Sequence, residues 1–269
     1  GWRDYLTHAT TRVAEQTPAD GFYIDQFGFG YQYACHDPTH GHDVPSNQPR
    51  AEAMLIRQVR EALDPDRILY TEQTPVDVAT QYQDASFSYA MLHARHPGCP
   101  SRTNLTRFAF PDFKTIQILR GDGPIGDDVE GVHLVFYQGD GLWLVGPSDN
   151  TRWYSPEVLE AIRKTRQLRE TYLAALTSDD ATPLVPTLLE RVYANRFAGP
   201  AQTVWTLYNA APVPVDEPTL RVAHVEGAVY FDAWNGREIQ PVVEGGTATL
   251  AVQIDPHGVG CVVRTLPAE

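Results

Sequence analysis

The chain contains the same short pattern twice: an apolar run that ends in a carboxylate. The first run is Phe22-Tyr23-Ile24-Asp25, and the second, beyond one helix-like segment, is Ile68-Leu69-Tyr70-Thr71-Glu72. Short apolar runs between turn residues are typical of buried strands in a parallel sheet, and α/β folds place their ligands at the carboxyl ends of such strands. We therefore expect Asp25 and Glu72 to lie side by side at one edge of a parallel sheet.

The segments around these two runs alternate between helical and strand-like patterns up to about residue 178. Apolar residues recur every three or four positions in the predicted helices, and β-branched or aromatic residues fill the predicted strands. This rhythm predicts an α/β fold that supplies more than half of an eight-stranded barrel. The predicted helices are 2–16, 48–63, 74–79, 127–137 and 157–176, and the predicted strands are 22–25, 68–71, 85–89, 105–110, 115–119 and 141–145.

The pattern changes after residue 178. Short runs rich in β-branched and aromatic residues follow one another, separated by Pro and Gly, without helical spacing between them. We therefore divide the chain into 1–178, a partial barrel, and 179–269, a small antiparallel β-sandwich. The predicted strands of this second part are 204–209, 220–225, 228–232, 247–254 and 260–265.

Charge and composition exclude several classes of partner. A formal net charge of −13 argues against nucleic acid, because phosphate contacts require clustered Lys and Arg. No apolar run approaches the roughly 18 residues of a membrane helix, so we expect a soluble protein with no membrane partner. The chain starts at Gly1 within a helical pattern and without an initiator Met, and we expect it to be a piece of a longer protein.

The chain has three cysteines: Cys35, Cys99 and Cys261. They form no CxxC pair, so the sequence suggests neither a disulfide framework nor a structural zinc site. A single bridge between Cys35 and Cys99 stays open.

Two neighbouring carboxyls are suited to glycoside hydrolysis. One carboxyl protonates the leaving oxygen, and the other attacks the sugar or activates water. Asp25 has the shorter side chain and has Tyr23 and Gln26 as potential donors, so it suits an ionised nucleophile. Glu72 can reach a glycosidic oxygen as the acid, with Gln73 beside it. The alternative is that both are strand-end carboxylates with no catalytic role, and both stereochemical outcomes stay open.

A long polar loop follows the first strand and contains Cys35-His36-Asp37-Pro38-Thr39-His40-Gly41-His42. Histidine and aspartate side chains form hydrogen bonds to sugar hydroxyls, so His36, Asp37, His40 and His42 are candidates for substrate binding. A zinc site built on His36, His40 and His42 is one alternative, and an exposed polar loop is another. Arg107, in a basic stretch after the third strand, is a further candidate to contact substrate.

Taken together, Tyr23-Ile24-Asp25-Gln26, the Cys35–His42 loop and Thr71-Glu72-Gln73 carry a resemblance to a known family. The sequence resembles a glycoside-hydrolase-like (β/α)8-barrel family of largely uncharacterised proteins that is distantly similar to endo-α-N-acetylgalactosaminidases. The resemblance covers roughly residues 1–176. It implies that the strand at Phe22 is the fourth of eight and that the barrel part runs from there to the eighth helix.

The resemblance also implies roles for individual residues. Asp25 becomes the nucleophile and Glu72 the acid/base, and the loop with Cys35 faces the substrate. We accordingly expect a glycoside hydrolase that acts on α-linked glycans or glycoconjugates without a cofactor. Two rival functions are a non-catalytic carbohydrate-binding barrel and a metal-dependent hydrolase that uses His36, His40 and His42.

Overall fold

A computed structural model describes residues 1–25, 27, 34–72, 77–88, 98–120, 128–145 and 154–267 of the chain. These residues form two compact units. The first is Gly1–Tyr89 with Asp112–Ile116, and the second is Ala90–Pro111 with Gln117–Glu269. None of the helices within these described ranges is both long enough and apolar enough to cross a membrane.

The first unit is an α/β layer built on a parallel sheet. Strand β1 pairs in parallel with β2, and β2 pairs in parallel with β3, as the sequence predicts. The start of β4 follows β3 in the sheet order. Its elements are α1 (Trp2–Gln16), β1 (Gly21–Ile24), a 3-10 turn (Pro38–His40), α2 (Gln48–Ala62), β2 (Ile68–Thr71), α3 (Asp77–Thr80), β3 (Ala85–Ser88) and the first residues of β4 (Lys114–Arg120).

The two faces of this sheet carry different side chains, because successive residues of a strand point to opposite sides. One face packs against helix α2, whose buried residues recur at helical spacing. The other face is aromatic: the ring of Tyr23 lies 5.0 Å from that of Tyr70 and 5.2 Å from that of Phe87, between centroids. The helix-facing cluster contains Leu55, Ile56, Val59, Leu63 and Leu69, with Phe22 and Ile24 packed against it.

An ion pair joins the end of α2 to the starts of β2 and β3. The Arg60 Nη2 atom lies 2.6 Å from Asp84 Oδ2, and Arg60 Nη1 donates to the carbonyl oxygen of Arg67 at 2.8 Å. Asp84 also accepts the backbone N–H of Leu69 at 2.7 Å. The amino ends of both strands are therefore held by one charged cluster on the helix.

The second unit begins with helices and strands of the α/β part. Within it β5 is the neighbour of β4 in the sheet order. Helix α5 is capped by Asp128, whose carboxylate accepts the N–H of Gly131, and α6 by Ser155, whose hydroxyl accepts that of Val158. Its elements up to residue 178 are α4 (Thr106–Ala109), the rest of β4, α5 (Val129–Gln138), β5 (Gly141–Val145), α6 (Pro156–Thr171) and α7 (Leu173–Leu176).

The predicted strand at 105–110 is wrong, because residues Thr106–Ala109 form helix α4. The side chain of Asn104 accepts the backbone N–H of Thr106 at 3.2 Å, a local hydrogen bond that favours a turn or helix start. A short apolar run has too few residues for its periodicity to separate strand from helix. The structure shows a helical turn here, and the local hydrogen bond agrees with it.

The rest of the second unit consists of two antiparallel sheets that share one hydrophobic core. The six-stranded sheet has the order β11-β10-β14-β8-β7-β6, and the three-stranded sheet has the order β12-β13-β9. Buried Trp205 and Leu207 of the first sheet join Leu250 and Val252 of the second in this core. The strands are β6 (Ala181–Val185), β7 (Val192–Ala198), β8 (Gln202–Asn209), β9 (Val215–Ala223), β10 (Val229–Asp232), β11 (Arg237–Ile239), β12 (Val242–Glu244), β13 (Thr247–Ile254) and β14 (Val259–Thr265).

Sequence patterns predicted β8, β9, β10, β13 and β14, and missed four strands. Strand β6 contains Pro183, and β7 contains Asn195 and Arg196, residues that weaken a strand prediction. Strands β11 and β12 have three residues each. Short or polar strands form here because their neighbours in the sheets supply the hydrogen bonds.

The outer face of the six-stranded sheet packs against helices that precede residue 178. Phe136 of α5 and Leu176 of α7 lie in one cluster with Phe197 and Val204. In addition, Asn195 and Thr206 both donate to the carbonyl oxygen of Tyr137 at the end of α5. The second compact unit therefore extends across residue 178, and the division into 1–178 and 179–269 stays a prediction.

We predict that Gly21→Ala destabilises the first unit. A Cβ at this position would lie 2.5 Å from the carbonyl oxygen of Ile68 and 2.7 Å from its Cβ, so β1 would have to move away from β2. We expect the free energy of unfolding to fall by roughly 1–3 kcal/mol, measured by chemical denaturation. Gly1→Ala is the control, since its Cβ would meet nothing within 4 Å. Equal stability of both variants would contradict the prediction.

Candidate active site

The register of β1 and β2 brings Asp25 and Glu72 to the same edge of the sheet. Ile24 pairs with Thr71 at the last position of the ladder, and the two carboxylates are the next residue on each strand. Adjacent strands are about 4.8 Å apart. By the alternation of the strands, Asp25 shares a face with Tyr23 and Glu72 shares a face with Tyr70. Both carboxylates therefore follow the aromatic layer formed by these two tyrosines.

The surroundings of the two carboxylates differ. Asp25 is exposed and accepts a hydrogen bond from the Tyr23 hydroxyl at 2.8 Å, which orients its carboxylate. Glu72 is only 9 % exposed. Contrasting environments are what lets two carboxyls take different roles in one reaction.

A cavity of about 620 Å³ lies beside β1 in the first unit. Its wall includes Tyr23 and Asp25 together with Glu52 of helix α2. Glu52 is 8 % exposed and accepts a hydrogen bond from Gln48 Nε2 at 2.8 Å. Sequence reasoning missed Glu52, although a carboxylate at helical spacing with Leu55 and Ile56 is a polar residue on a buried face. A buried carboxylate that lines a cavity is an additional candidate to contact a ligand.

The polar loop forms an ordered cluster in the first unit. Cys35 Sγ lies 3.2 Å from His40 Nδ1, and Asp37 Oδ2 lies 3.3 Å from His40 Nε2. The hydroxyl and backbone N–H of Thr39 both donate to Asp37 and lower the pKa of its carboxyl. His42 lies next to His40, with 5.6 Å between ring centroids.

The structure changes the set of residues that could hold a metal. Among the described residues, the potential ligand atoms of Cys35, His40 and His42 lie within 4.8 Å of one another. His36, which the sequence offered together with His40 and His42 as an alternative zinc site, is exposed and lies outside this group. Cys35 and Cys99 are free thiols, so the bridge that the sequence left open is absent.

Arg107 lies in the second unit and is 1 % exposed. Its Nη2 atom donates to the carbonyl oxygens of Leu176 and Ser178 at 3.1 and 3.3 Å. Its guanidinium lies 5.6 Å from the centroid of the Phe197 ring. Burial lowers the pKa of this guanidinium. These contacts hold α7 to the rest of the unit, so we correct the expectation that Arg107 contacts substrate: it is a structural residue.

Two further predicted residues, Gln26 and Gln73, lie outside the residues that the structure describes. Their predicted contacts with substrate stay predictions.

Asp140 is a buried carboxyl that sequence reasoning also missed. Its Oδ2 atom accepts hydrogen bonds from Gln117 Nε2 at 2.8 Å and from Asn104 Nδ2 at 3.4 Å. Burial raises its pKa to about 6. Strongly shifted pKa values are common at active sites, but Asp140 directly precedes β5 and so lies at the amino end of that strand. Residues at that end of a barrel strand serve stability, and we assign Asp140 to the structure.

Comparison with known proteins gives a likeness of fold. No protein-family model and no curated protein matches the sequence. An α-amylase from Anoxybacillus superposes with a TM-score of 0.61 at 13% identity, over 99% of this chain and 63% of the amylase. The likeness is one of fold alone: the solved structures that superpose on this chain are barrel glycoside hydrolases. The predicted α/β barrel part followed by a β domain agrees with this likeness.

Two other solved structures extend the comparison. An α-amylase from Geobacillus thermoleovorans in complex with acarbose has a TM-score of 0.61 at 12% identity, over 99% of this chain and 64% of the amylase. A GH27 β-L-arabinopyranosidase from Geobacillus stearothermophilus, in complex with arabinose, has a TM-score of 0.56 at 11% identity, over 99% of this chain and 62% of the arabinopyranosidase. This chain thus spans less than two-thirds of each of these proteins. The distant similarity to endo-α-N-acetylgalactosaminidases stays a prediction.

We predict that Asp140→Asn changes how stability depends on pH. The carboxyl pKa rises from 3.8 to about 6 on folding, so the wild-type protein loses stability as pH rises through this range. Relative to wild type, the variant should gain up to about 3 kcal/mol in free energy of unfolding between pH 4 and pH 7. Denaturant titrations of both proteins at the two pH values measure this difference.

The difference in stability between the variant and wild type isolates Asp140, because the other titrating groups are present in both proteins. Burial lowers the pKa of His133 to about 4. The protein therefore loses stability at this histidine as pH falls, whereas it loses stability at Asp140 as pH rises. Because both proteins retain His133, its contribution cancels in the difference. A difference between the two proteins that is the same at pH 4 and pH 7 would contradict the assignment.

Proposed function

We propose that this chain carries the acid pair of a glycoside hydrolase, with Asp25 and Glu72 as its two carboxyls. The observation that carries the proposal is the register of β1 and β2. Ile24 pairs with Thr71 at the end of the ladder, and a carboxylate follows each of them. Parallel α/β barrels place catalytic residues at the carboxyl ends of their strands. The fold shared with glycoside hydrolases supports the same chemistry.

The spacing of the strands favours a double displacement. Retaining enzymes hold their carboxyls about 5 Å apart and inverting enzymes about 6.5–9.5 Å apart, and adjacent strands are separated by about 4.8 Å. Asp25 attacks the anomeric carbon while Glu72 donates its proton to the leaving oxygen. Glu72 then removes a proton from a water molecule, which cleaves the bond between Asp25 and the sugar.

The environments of the two residues support these roles. The Tyr23 hydroxyl donates to Asp25 and orients its carboxylate, as the attack of a nucleophile requires. Glu72 is largely removed from water, as suits a carboxyl that must carry a proton to the substrate.

We further propose α-linked glycans or glycoconjugates as substrates. Solved structures with a similar fold include an α-amylase in complex with acarbose and AmyP in complex with maltose. The exposed side chains of His36, Asp37, His40 and His42 supply hydrogen-bonding groups near the same strand end in sequence, as do Gln26 and Gln73 in our proposal.

The first test is Asp25→Asn. We expect it to lower turnover of an activated aryl α-glycoside by a factor on the order of 10³ or more, because the amide cannot attack the anomeric carbon. Asp20→Asn changes an exposed carboxyl at the other end of β1 and should leave turnover unchanged. Circular dichroism checks that both variants are folded. Full activity of Asp25→Asn would refute the assignment, and sugar binding by a wild-type protein without turnover would favour the carbohydrate-binding alternative.

The second test is Glu72→Gln, assayed on two aryl glycosides with good and poor leaving groups. Because a good leaving group needs little protonation, we expect a small loss on the first substrate and a large loss on the second. Added azide should restore turnover of the first substrate, with formation of a glycosyl azide. Glu15→Gln, an exposed carboxylate of α1, is the matched control. Equal losses on both substrates would remove Glu72 from the role of acid.

A further inference from the structure

We propose that Cys35, His40 and His42 form a zinc-binding site in the loop after β1. The zinc ion would occupy His40 and His42, which we also propose as sugar contacts, but the bond-breaking chemistry rests on Asp25 and Glu72 and needs no metal. One sulfur and two imidazole nitrogens are the ligands that zinc prefers, whereas Mg²⁺ and Ca²⁺ prefer oxygen. The thiol of Cys35 is free and so can serve as a ligand.

The distances fit a tetrahedral ion. With Zn–S near 2.3 Å and Zn–N near 2.0 Å, neighbouring ligand atoms of a tetrahedral site lie about 3.3–3.6 Å apart. Cys35 Sγ and His40 Nδ1 are separated by 3.2 Å, and all three ligand atoms lie within 4.8 Å of one another. The three side chains therefore already lie within reach of a single ion.

Polar contacts at the second nitrogen of each imidazole support this arrangement. Asp37 Oδ2 lies 3.3 Å from His40 Nε2, so an N–H at Nε2 leaves the lone pair of Nδ1 directed at Cys35. His42 Nδ1 lies 2.9 Å from the carbonyl oxygen of Asp43, which leaves Nε2 of that ring as the ligand. Carboxylates and carbonyls orient histidine ligands in this way at zinc sites.

The backbone of the loop holds the ligands in place. Cys35 and Ser46 exchange two backbone hydrogen bonds of 2.8 and 2.9 Å, which close the loop at its base. Gly41 has a φ of 70°, a left-handed conformation that favours glycine, and it turns the chain between the two histidines. Both histidines are exposed, so the fourth position of the ion is open to water or to a hydroxyl of a ligand.

The ion would replace a proton. In its absence the short contact between Cys35 and His40 is a hydrogen bond from the thiol to the imidazole. Zinc binds the thiolate, so binding releases the thiol proton to solvent, and affinity rises with pH. A metal site at Cys35 and His40 therefore predicts zinc affinity that rises with pH, whereas a simple hydrogen bond between them predicts no zinc binding.

The experiment is a titration of the chelator-treated protein with Co²⁺ and then Zn²⁺. We expect a thiolate-to-cobalt charge-transfer absorption that saturates at one ion per chain and disappears when zinc is added. Cys35→Ser should abolish this absorption, and His42→Gln should weaken binding by at least about 100-fold. The matched controls are Cys99→Ser, which changes another free thiol, and His36→Gln, which changes the loop histidine outside the group; both should bind like wild type.

A measurement on the unmodified protein covers the case in which a variant fails to fold. Zinc should slow alkylation of Cys35 at least about tenfold, while alkylation of Cys99 serves as the internal reference, since a metal-bound thiolate is a weaker nucleophile than a free one. The absence of a thiolate-to-cobalt band in wild type, or a band that persists in Cys35→Ser, would overturn the proposal. Neither readout requires turnover, so this failure would leave the hydrolase assignment unaffected.

Discussion

The parallel ladder between β1 and β2 is the constraint on which the candidate site depends. Its register joins Gly21 to Ile68 and Ile24 to Thr71, and Gly21 allows the close approach because a Cβ there would collide with Ile68. The amino end of β2 is in turn held by Asp84, which accepts its backbone N–H and pairs with Arg60 of α2. With one end of the strands fixed, a slip of one residue would place the two carboxylates on opposite faces of the sheet.

The same alternation separates two environments within a few residues. Phe22, Ile24 and Leu69 pack toward α2, where burial of apolar area stabilises the layer. Tyr23 and Tyr70 face the other way and form an aromatic layer that ends in the carboxylates. A strand only four residues long thus packs against the helix on one face and places a carboxylate directly after its last residue.

Buried polar groups have a different purpose in the second unit. The guanidinium of Arg107 and the hydroxyl and amide of Thr206 and Asn195 satisfy backbone carbonyls where α7 and α5 end. A carbonyl at a helix end has no partner within its own helix, and an unpaired polar group in an apolar interior is costly. These side chains therefore bind helices to the antiparallel sheet, which explains why a compact unit extends across residue 178.

The sequence by itself determined the α/β rhythm, the bounds of β2 and β5, and the position of Asp25 and Glu72 at strand ends, because apolar periodicity and turn residues are local properties. It could not determine α4, because the periodicity of a short apolar run fits both strand and helix. Nor could it determine strands such as β7, which pair with strands β6 and β8. Only the tertiary structure decided that Arg107, Glu52 and Asp140 are buried. It also decided that Cys35, rather than His36, lies beside His40. Each depends on which backbone groups and side chains meet across the folded chain, and no local pattern encodes those distances.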